Sequence, residues 1–215
     1  MTAKPELTAR SGRAADIVAA ARRILEEEGV EALTMRRLAG ELGMRAPSLY
    51  KHFPTKRAVE AALIEEGMVE LGQALHAALR TPARAALRTP AHGALRTPAH
   101  GGAVRKLLEA YRKAAVARPA LYRLATAGPL PREDLPPGLE AWAGEPFFLA
   151  TGDPWKAQAL FSLAHGMVIL ELDDRFPPRS DLRRTWRAAA AAFTDWTRHD
   201  KLPQSPYSDS PHRGQ

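Results

Sequence analysis

The residues best placed to do chemistry lie between Leu33 and Lys56, in the stretch LTMRRLAGELGMRAPSLYKHFPTK. Arg36, Arg45, Lys51, His52 and Lys56 bring N–H donors and positive charge, and Thr34, Ser48 and Tyr50 bring hydroxyls. Such a set does not break bonds. It neutralises and hydrogen-bonds phosphate oxygens, and it reaches base edges in a nucleic-acid groove. A helix, a tight glycine turn and a second short helix with a basic, hydroxyl-rich face form a unit that docks in a DNA groove.

The elements that must hold these groups can be read locally. Thr34 is an N-cap for a helix opening at Met35 and Arg36, because its hydroxyl can accept a free first-turn amide. Leu38, Ala39 and Leu42 recur at helical spacing and turn one face inward. Gly43 ends that helix, since it can take positive φ and reverse the chain sharply. Pro47 suits the first turn of the next helix, where its missing N–H costs nothing. That helix is expected over Ala46 to Phe53, with Leu49 and Phe53 inside and Arg45, Ser48, Lys51 and His52 outside. Pro54 stops it, and Thr55 can cap a helix from Lys56.

The stretch from Ser11 to Leu63 resembles the DNA-binding domain of TetR-family transcriptional regulators. The resemblance is carried by Leu33-Thr34, Leu38-Ala39, Leu42-Gly43, Ser48-Leu49-Tyr50, His52-Phe53 and Lys56, in order and at family spacing. It implies an all-helical homodimer that binds operator DNA and releases it when a small molecule occupies a second domain. On this resemblance and on groove chemistry, Arg36, Arg45, Pro47 and Ser48 are the base-edge contacts, with Ala46 beside them in the DNA-facing set. Thr34, Tyr50, His52 and Lys56 are the phosphate anchors. Lys51 stands where many family members carry an aromatic or other variable residue, and serves either role.

Composition and charge bound the alternatives. A chain of 215 residues with 45% hydrophobic content can build one small and one larger domain. It has no cysteine, which excludes disulfides, thiol switches and cysteine-ligated metal. The start of the chain shows no run of signal length and no stretch reaches 18 apolar residues, so a cytoplasmic protein without membrane contact is expected. The net charge of +7 is not itself evidence of nucleic-acid binding. Residues 1–57 hold eleven Lys/Arg against seven Asp/Glu, while Leu71–Leu108 holds Arg80, Arg84, Arg88, Arg96, Arg105, Lys106 and no acid. A patch therefore meets the phosphates, not a uniformly basic domain. Neither Glu26-Glu27-Glu28 nor Asp173-Asp174 has a partner spaced for acid–base work, and the seven histidines show no HExxH spacing. No enzyme, cofactor or metal is expected.

The acid-free segment carries an octapeptide repeat, ALRTPARA, ALRTPAHG and ALRTPAHG, from Ala78 to Gly101. Its prolines at 82, 90 and 98 fit neither a heptad nor a solenoid, so residues 78–102 read as a mobile insertion between the fourth and fifth helices. An auxiliary arginine arm for nucleic acid is the alternative reading.

The remainder reads as helix: Arg13–Glu28, Thr55–Leu79, Val104–Ala117, Pro119–Thr126, a segment Leu139–Leu149 broken at Gly144 and Pro146, Pro154–Leu172 and Asp181–Arg198. The fold class is therefore all-α, a three-helix DNA-binding domain with a helix-turn-helix at 11–57 and a larger helical ligand-binding and dimerisation domain at 58–200. Residues 1–10 read as a flexible lead-in and 201–215 as a disordered tail. The last two helices are expected to form a four-helix dimer interface through Leu163, Met167, Leu170, Leu182, Trp186, Ala189 and Phe193, the arrangement the resemblance also implies. The run LFSLAHGMVILELDDRF resembles a C-terminal subtype of the same family with a Trp, His and Gly signature. Trp142, Phe147, Phe148, Trp155 and Phe161 either line an apolar effector pocket, with His165 as its polar anchor, or simply fill the core. The expected partners are a near-palindromic double-stranded DNA operator, an apolar small-molecule effector and a second copy of the chain. A regulator without small-molecule input and a nonspecific nucleic-acid binder are the competing functions.

Overall fold

A computed structural model describes residues 3–80 and 100–199, without the side chains of residues 100, 101 and 195–199. Most of the repeat, the tail from 201 and the Trp196 side chain lie outside the described residues. All regular structure among the described residues is helical: α1 Arg13–Glu28, α2 Met35–Glu41, α3 Ala46–Tyr50, α4 Lys56–Arg80, α5 His100–Ala117, α6 Pro119–Thr126, a 3-10 turn at Arg132–Asp134, α7 Leu139–Thr151, α8 Pro154–Leu172 and α9 Leu182–His199. This is the expected fold class.

Two apolar cores organise these helices. The first joins Ile17, Ile24 and Leu25 of α1 to Leu38, Leu49, Phe53, Val59 and Leu63, and it is completed by Leu121 of α6. The second gathers Leu75, Leu107, Leu108, Tyr111, Tyr122, Phe147, Leu160, Val168, Trp186 and Phe193. Helix α4 belongs to both. At 1.5 Å per residue it runs roughly 37 Å, with Val59, Ala62 and Leu63 in the first core and Leu75 in the second. On α6 the two cores meet at adjacent residues, Leu121 in one and Tyr122 in the other.

Several local expectations change. The third helix ends at Tyr50, not Phe53, because the amides of His52 and Phe53 both turn back to the Leu49 carbonyl ahead of Pro54. Helix α5 begins at His100, four residues before the expected start. Residues 8–10 do not hang free: the Thr8 amide and the Arg10 guanidinium donate to the buried Glu65 carboxylate on α4. The proline- and glycine-rich segment 128–138 contains the 3-10 turn, whose Glu133 and Asp134 accept from Arg57 at 2.6 and 3.1 Å.

The largest difference is α7, which runs unbroken through Pro146. Proline has no amide hydrogen, so the carbonyl four residues back, that of Trp142, loses its helical partner. His76 of α4 supplies the replacement: its Nε2–H donates to the Trp142 oxygen at 2.9 Å, and its ring stacks on the Trp142 indole at 4.9 Å and 24°. Gly72, one turn earlier, allows this approach, since a Cβ there would stand 2.5 Å from Trp142 Cζ3. Sequence alone shows Pro146 as a break because the donor that compensates the Trp142 carbonyl lies 66 residues from Trp142, on another helix.

His76→Phe keeps a stackable ring but strands the buried Trp142 carbonyl, and should cost about 1–3 kcal/mol. In thermal unfolding this appears as a Tm lower by roughly 2–4 °C per kcal/mol. Gly72→Ala should destabilise by a similar amount, about 1–3 kcal/mol, through overpacking. An unchanged Tm in both variants would show that the α4–α7 joint is not held this way.

Candidate nucleic-acid interface and interior cavity

The helix-turn-helix is assembled by caps. Thr34 is extended, at φ −119° and ψ 153°, and its Oγ1 accepts from the Arg37 amide at 3.1 Å. This leaves its hydroxyl hydrogen for an external acceptor. Gly43 takes φ +59°, which bends the chain so that the Met44 amide returns to the Ala39 carbonyl at 2.9 Å. Arg45 caps α3 with extended backbone, and Thr55 Oγ1 accepts from the Ala58 amide at the start of α4. Leu38, Ala39, Leu49 and Phe53 face inward.

The same turns put the donors on one outer surface. Thr34, Arg36, Arg45, Ala46, Pro47, Ser48, Tyr50, Lys51 and His52 are all exposed, and Lys56 is half-buried at the edge. Tyr50 stands out as a large aromatic on the surface rather than in the core. Charge pairing separates the two adjacent arginines of α2. Arg37 is held by Glu28 and Glu41 at 2.6 and 2.8 Å, and these hydrogen bonds raise its pKa. Arg36 and Arg45 make no ion pair among the described residues. Arg37 therefore ties α2 to the end of α1, while Arg36 and Arg45 keep their donors. Lys56 is 3.3 Å from Glu60, a partly exposed pair one helical turn apart.

A second feature lies inside the larger core. A cavity of about 880 Å³ opens between α4, α5, α6, α7 and α8, with Leu121, Tyr111, Tyr122, Phe147, Phe161 and His165 among its lining residues. Phe147, Phe161 and His165 are thus brought together. Trp142 and Trp155 are not: Trp142 is buried against His76, and Trp155 is 48% exposed on another side of α8. Phe148, 47% exposed, also stays outside the lining, whereas Tyr111 and Tyr122 complete it, although tyrosines at helical spacing look in the sequence like any other core residue. Their hydroxyls are 2.8 Å apart, and Tyr122 Oη is 2.8 Å from His165 Nδ1. Burial pushes Tyr122 up to about 12 and Tyr111 higher, and it lowers the His165 imidazole below its ordinary value. All three groups are neutral at pH 7.

The residues expected at a dimer interface fall on two sides. Met167, Trp186 and Phe193 are buried in the chain's own core, and Leu163, Leu182 and Ala189 pack against it. Only Leu170 faces outward, at 42% exposed. An apolar stripe marks a buried face, and here α5 covers most of the α9 stripe. The outer stripe of α8 instead carries Trp155, Ser162, Gly166 and Leu170, and that of α9 carries Ala188, Ala191 and Ala192.

Residues 17–63 match the model of the family described as bacterial regulatory proteins, tetR family. The chain is 46% identical over 54 residues to the tetracycline repressor protein class A from transposon 1721 of Escherichia coli, a match covering 25% of each protein. It thus spans about a quarter of the length of that relative. The whole fold is similar to that of a protein of unknown function from Rhodococcus sp. RHA1, at a TM-score of 0.67 and 20% identity over 88% of this chain and 97% of that one. It is also similar to a TetR variant from Acinetobacter baumannii AYE in complex with minocycline, at a TM-score of 0.57 and 20% identity over 88% and 97%.

Thr34→Ala should remove the α2 cap at a cost of about 0.5–2 kcal/mol, and Thr34→Ser should recover most of it. Urea unfolding checks this, and equal midpoints for wild type and Thr34→Ala would contradict the capping geometry.

Proposed function

We propose that this chain is a DNA-binding transcriptional regulator of the tetR family, acting in the cytoplasm as a homodimeric repressor that leaves its operator when a small molecule fills the cavity. The observation that carries the reading is the surface of α2 and α3, where exposed Arg36, Arg45, Ser48, Tyr50, Lys51 and His52 stand together in a domain that matches the family over residues 17–63. Arg45 at the α3 N-cap and Ser48 in its first turn are placed to enter a major groove, while Tyr50, His52, Lys56 and the free Thr34 hydroxyl hydrogen meet flanking phosphates.

The dimer forms through the outer faces of α8 and α9, where Gly166 and the alanines at 188, 191 and 192 let helices approach closely and Trp155 and Leu170 supply apolar area. Two recognition helices then face half-sites roughly 34 Å apart. We read the second domain as the subtype with a Trp, His and Gly signature, since His165 lines the cavity and Gly166 sits on the dimer face. Ligand occupancy acts through α4 and α6, which line the cavity at Gly67, Glu70, Leu121 and Tyr122 and also join the first core. Any ligand that binds one arrangement of these helices more tightly shifts the dimer toward it.

Selection from a random duplex pool at about 150 mM salt should enrich an inverted repeat. Tyr50→Ala with Lys56→Ala should weaken binding to every sequence alike, whereas Arg45→Ala should relax preference at particular base pairs, by about 1–3 kcal/mol each. Recovery of duplexes without any consensus would replace this reading with nonspecific nucleic-acid binding.

A further inference from the structure

The cavity wall is mostly apolar, so its few polar atoms decide what it holds, and three of them form one chain. Tyr111, Tyr122 and His165 each can donate and accept, which allows the chain two continuous directions; a third arrangement, with Tyr122 accepting from both neighbours, leaves the Tyr122 hydroxyl hydrogen without a protein acceptor among the described residues. In the first, His165 Nδ1–H donates to Tyr122, Tyr122 donates to Tyr111, and the Tyr111 O–H is left without an acceptor. Tyr111 is wholly buried and has no other hydrogen-bond partner among the described residues, so that direction carries the full desolvation penalty of an unmade bond. In the second, Tyr111 donates to Tyr122 and Tyr122 donates to His165 Nδ1. Every hydroxyl hydrogen is then used, and the imidazole proton sits on Nε2. That nitrogen has no protein partner among the described residues, and its ring lines the cavity.

The surroundings define what can meet this donor. The Phe161 ring lies nearly parallel to His165, at 6.1 Å and 21°, and Phe147 stands on edge to Phe161 at 5.6 Å and 85°. Phe161 is 43% exposed although it lies in the interior wall. Charges sit at the rim and most are already paired: Glu70 with Arg22, and Arg132 with Glu140. Arg118 lines the cavity too and makes no ion pair among the described residues. No charged side chain among those residues hydrogen-bonds or pairs with His165 itself, so a charged group beside it would be costly to bury.

We infer that the cavity takes a neutral, planar, largely aromatic molecule, held by one hydrogen-bond-accepting oxygen that receives the Nε2–H of His165 at the end of the Tyr111–Tyr122–His165 chain. This deepens the effector reading above and rests on it. The tyrosines act here as positioning residues. They set the tautomer of His165 and so decide that the cavity offers a donor, not an acceptor. A ligand bringing only a donor to that point would face an N–H and lose its bond.

Two measurements on the full chain test this. With ¹⁵N-labelled histidine, long-range proton–nitrogen spectra read the tautomer directly, the His165 signals being those lost in His165→Phe. The expected state is Nε2–H, with Tyr122→Phe shifting the signals toward a mixture of tautomers. An Nδ1–H tautomer in the wild type would overturn the inference. Calorimetry with 9-fluorenone and fluorene, planar tricycles differing by one carbonyl, reads the second part. Fluorenone should bind about tenfold more tightly, and His165→Phe should bring the two within about twofold. Equal affinities in the wild type, or no binding of fluorenone, would also overturn it. Neither readout involves DNA, so failure of the duplex selection would sink the regulator and leave the tautomer and carbonyl preference standing.

Discussion

Helix α4 is one rigid rod shared by two cores, and the rest of the molecule is arranged around that constraint. Its first half is packed by Leu38, Leu49 and Phe53 of the helix-turn-helix side, and its second half by α5, α6 and α7. A close-packed interior deforms little, so a displacement at one end of such a helix reaches the other. The shared rod is fixed at its far end by close approach: Gly72 admits the Trp142 ring, and His76 holds that residue's carbonyl. Near its start, Arg57 is tied to Glu133 and Asp134 in the segment beside the cavity. These last pairs are exposed and contribute little stability, but they give the cavity edge a second route to the end of α4 that adjoins Lys56.

Several buried and half-buried polar groups join helices distant in the chain. Pro146 removes an amide from α7, and His76 makes up the loss from another helix. Glu171, whose pKa burial pushes up, is held lower than usual because Arg112 meets it through both Nε and Nη2 while the Trp186 indole N–H donates at 2.9 Å. That carboxylate joins α5, α8 and α9 in one node. The tyrosine pair uses the same accounting for a different end, because its satisfied chain leaves one imidazole N–H over for the cavity.

Charge on the outer surface of α1 to α3 is sorted by pairing more than by total. Arg37, Arg22 and Arg23 are consumed by carboxylates on α1, α2 and α4. Arg36 and Arg45 make no such pair among the described residues. The formal excess of positive charge, much of it in the repeat segment, says little about this surface.

The order of residues alone specifies the helix-turn-helix. Thr34, Gly43, Pro47 and Thr55 act on the few residues around them, and caps, turns and a fixed proline φ are local effects that spacing reveals. It also determined that the chain is helical and which stripes are apolar, since a period of 3.6 is a property of the strand of residues alone. What covers each stripe is set by packing between helices. Met167, Trp186 and Phe193 turn into their own chain's core, Trp155 turns out of the cavity, and α7 survives Pro146, all through contacts with helices distant in the chain. The Tyr111–Tyr122–His165 chain is of the same kind: its direction follows from which hydroxyl is sealed from water, and burial is a property of the packed assembly that no stretch of residues carries alone.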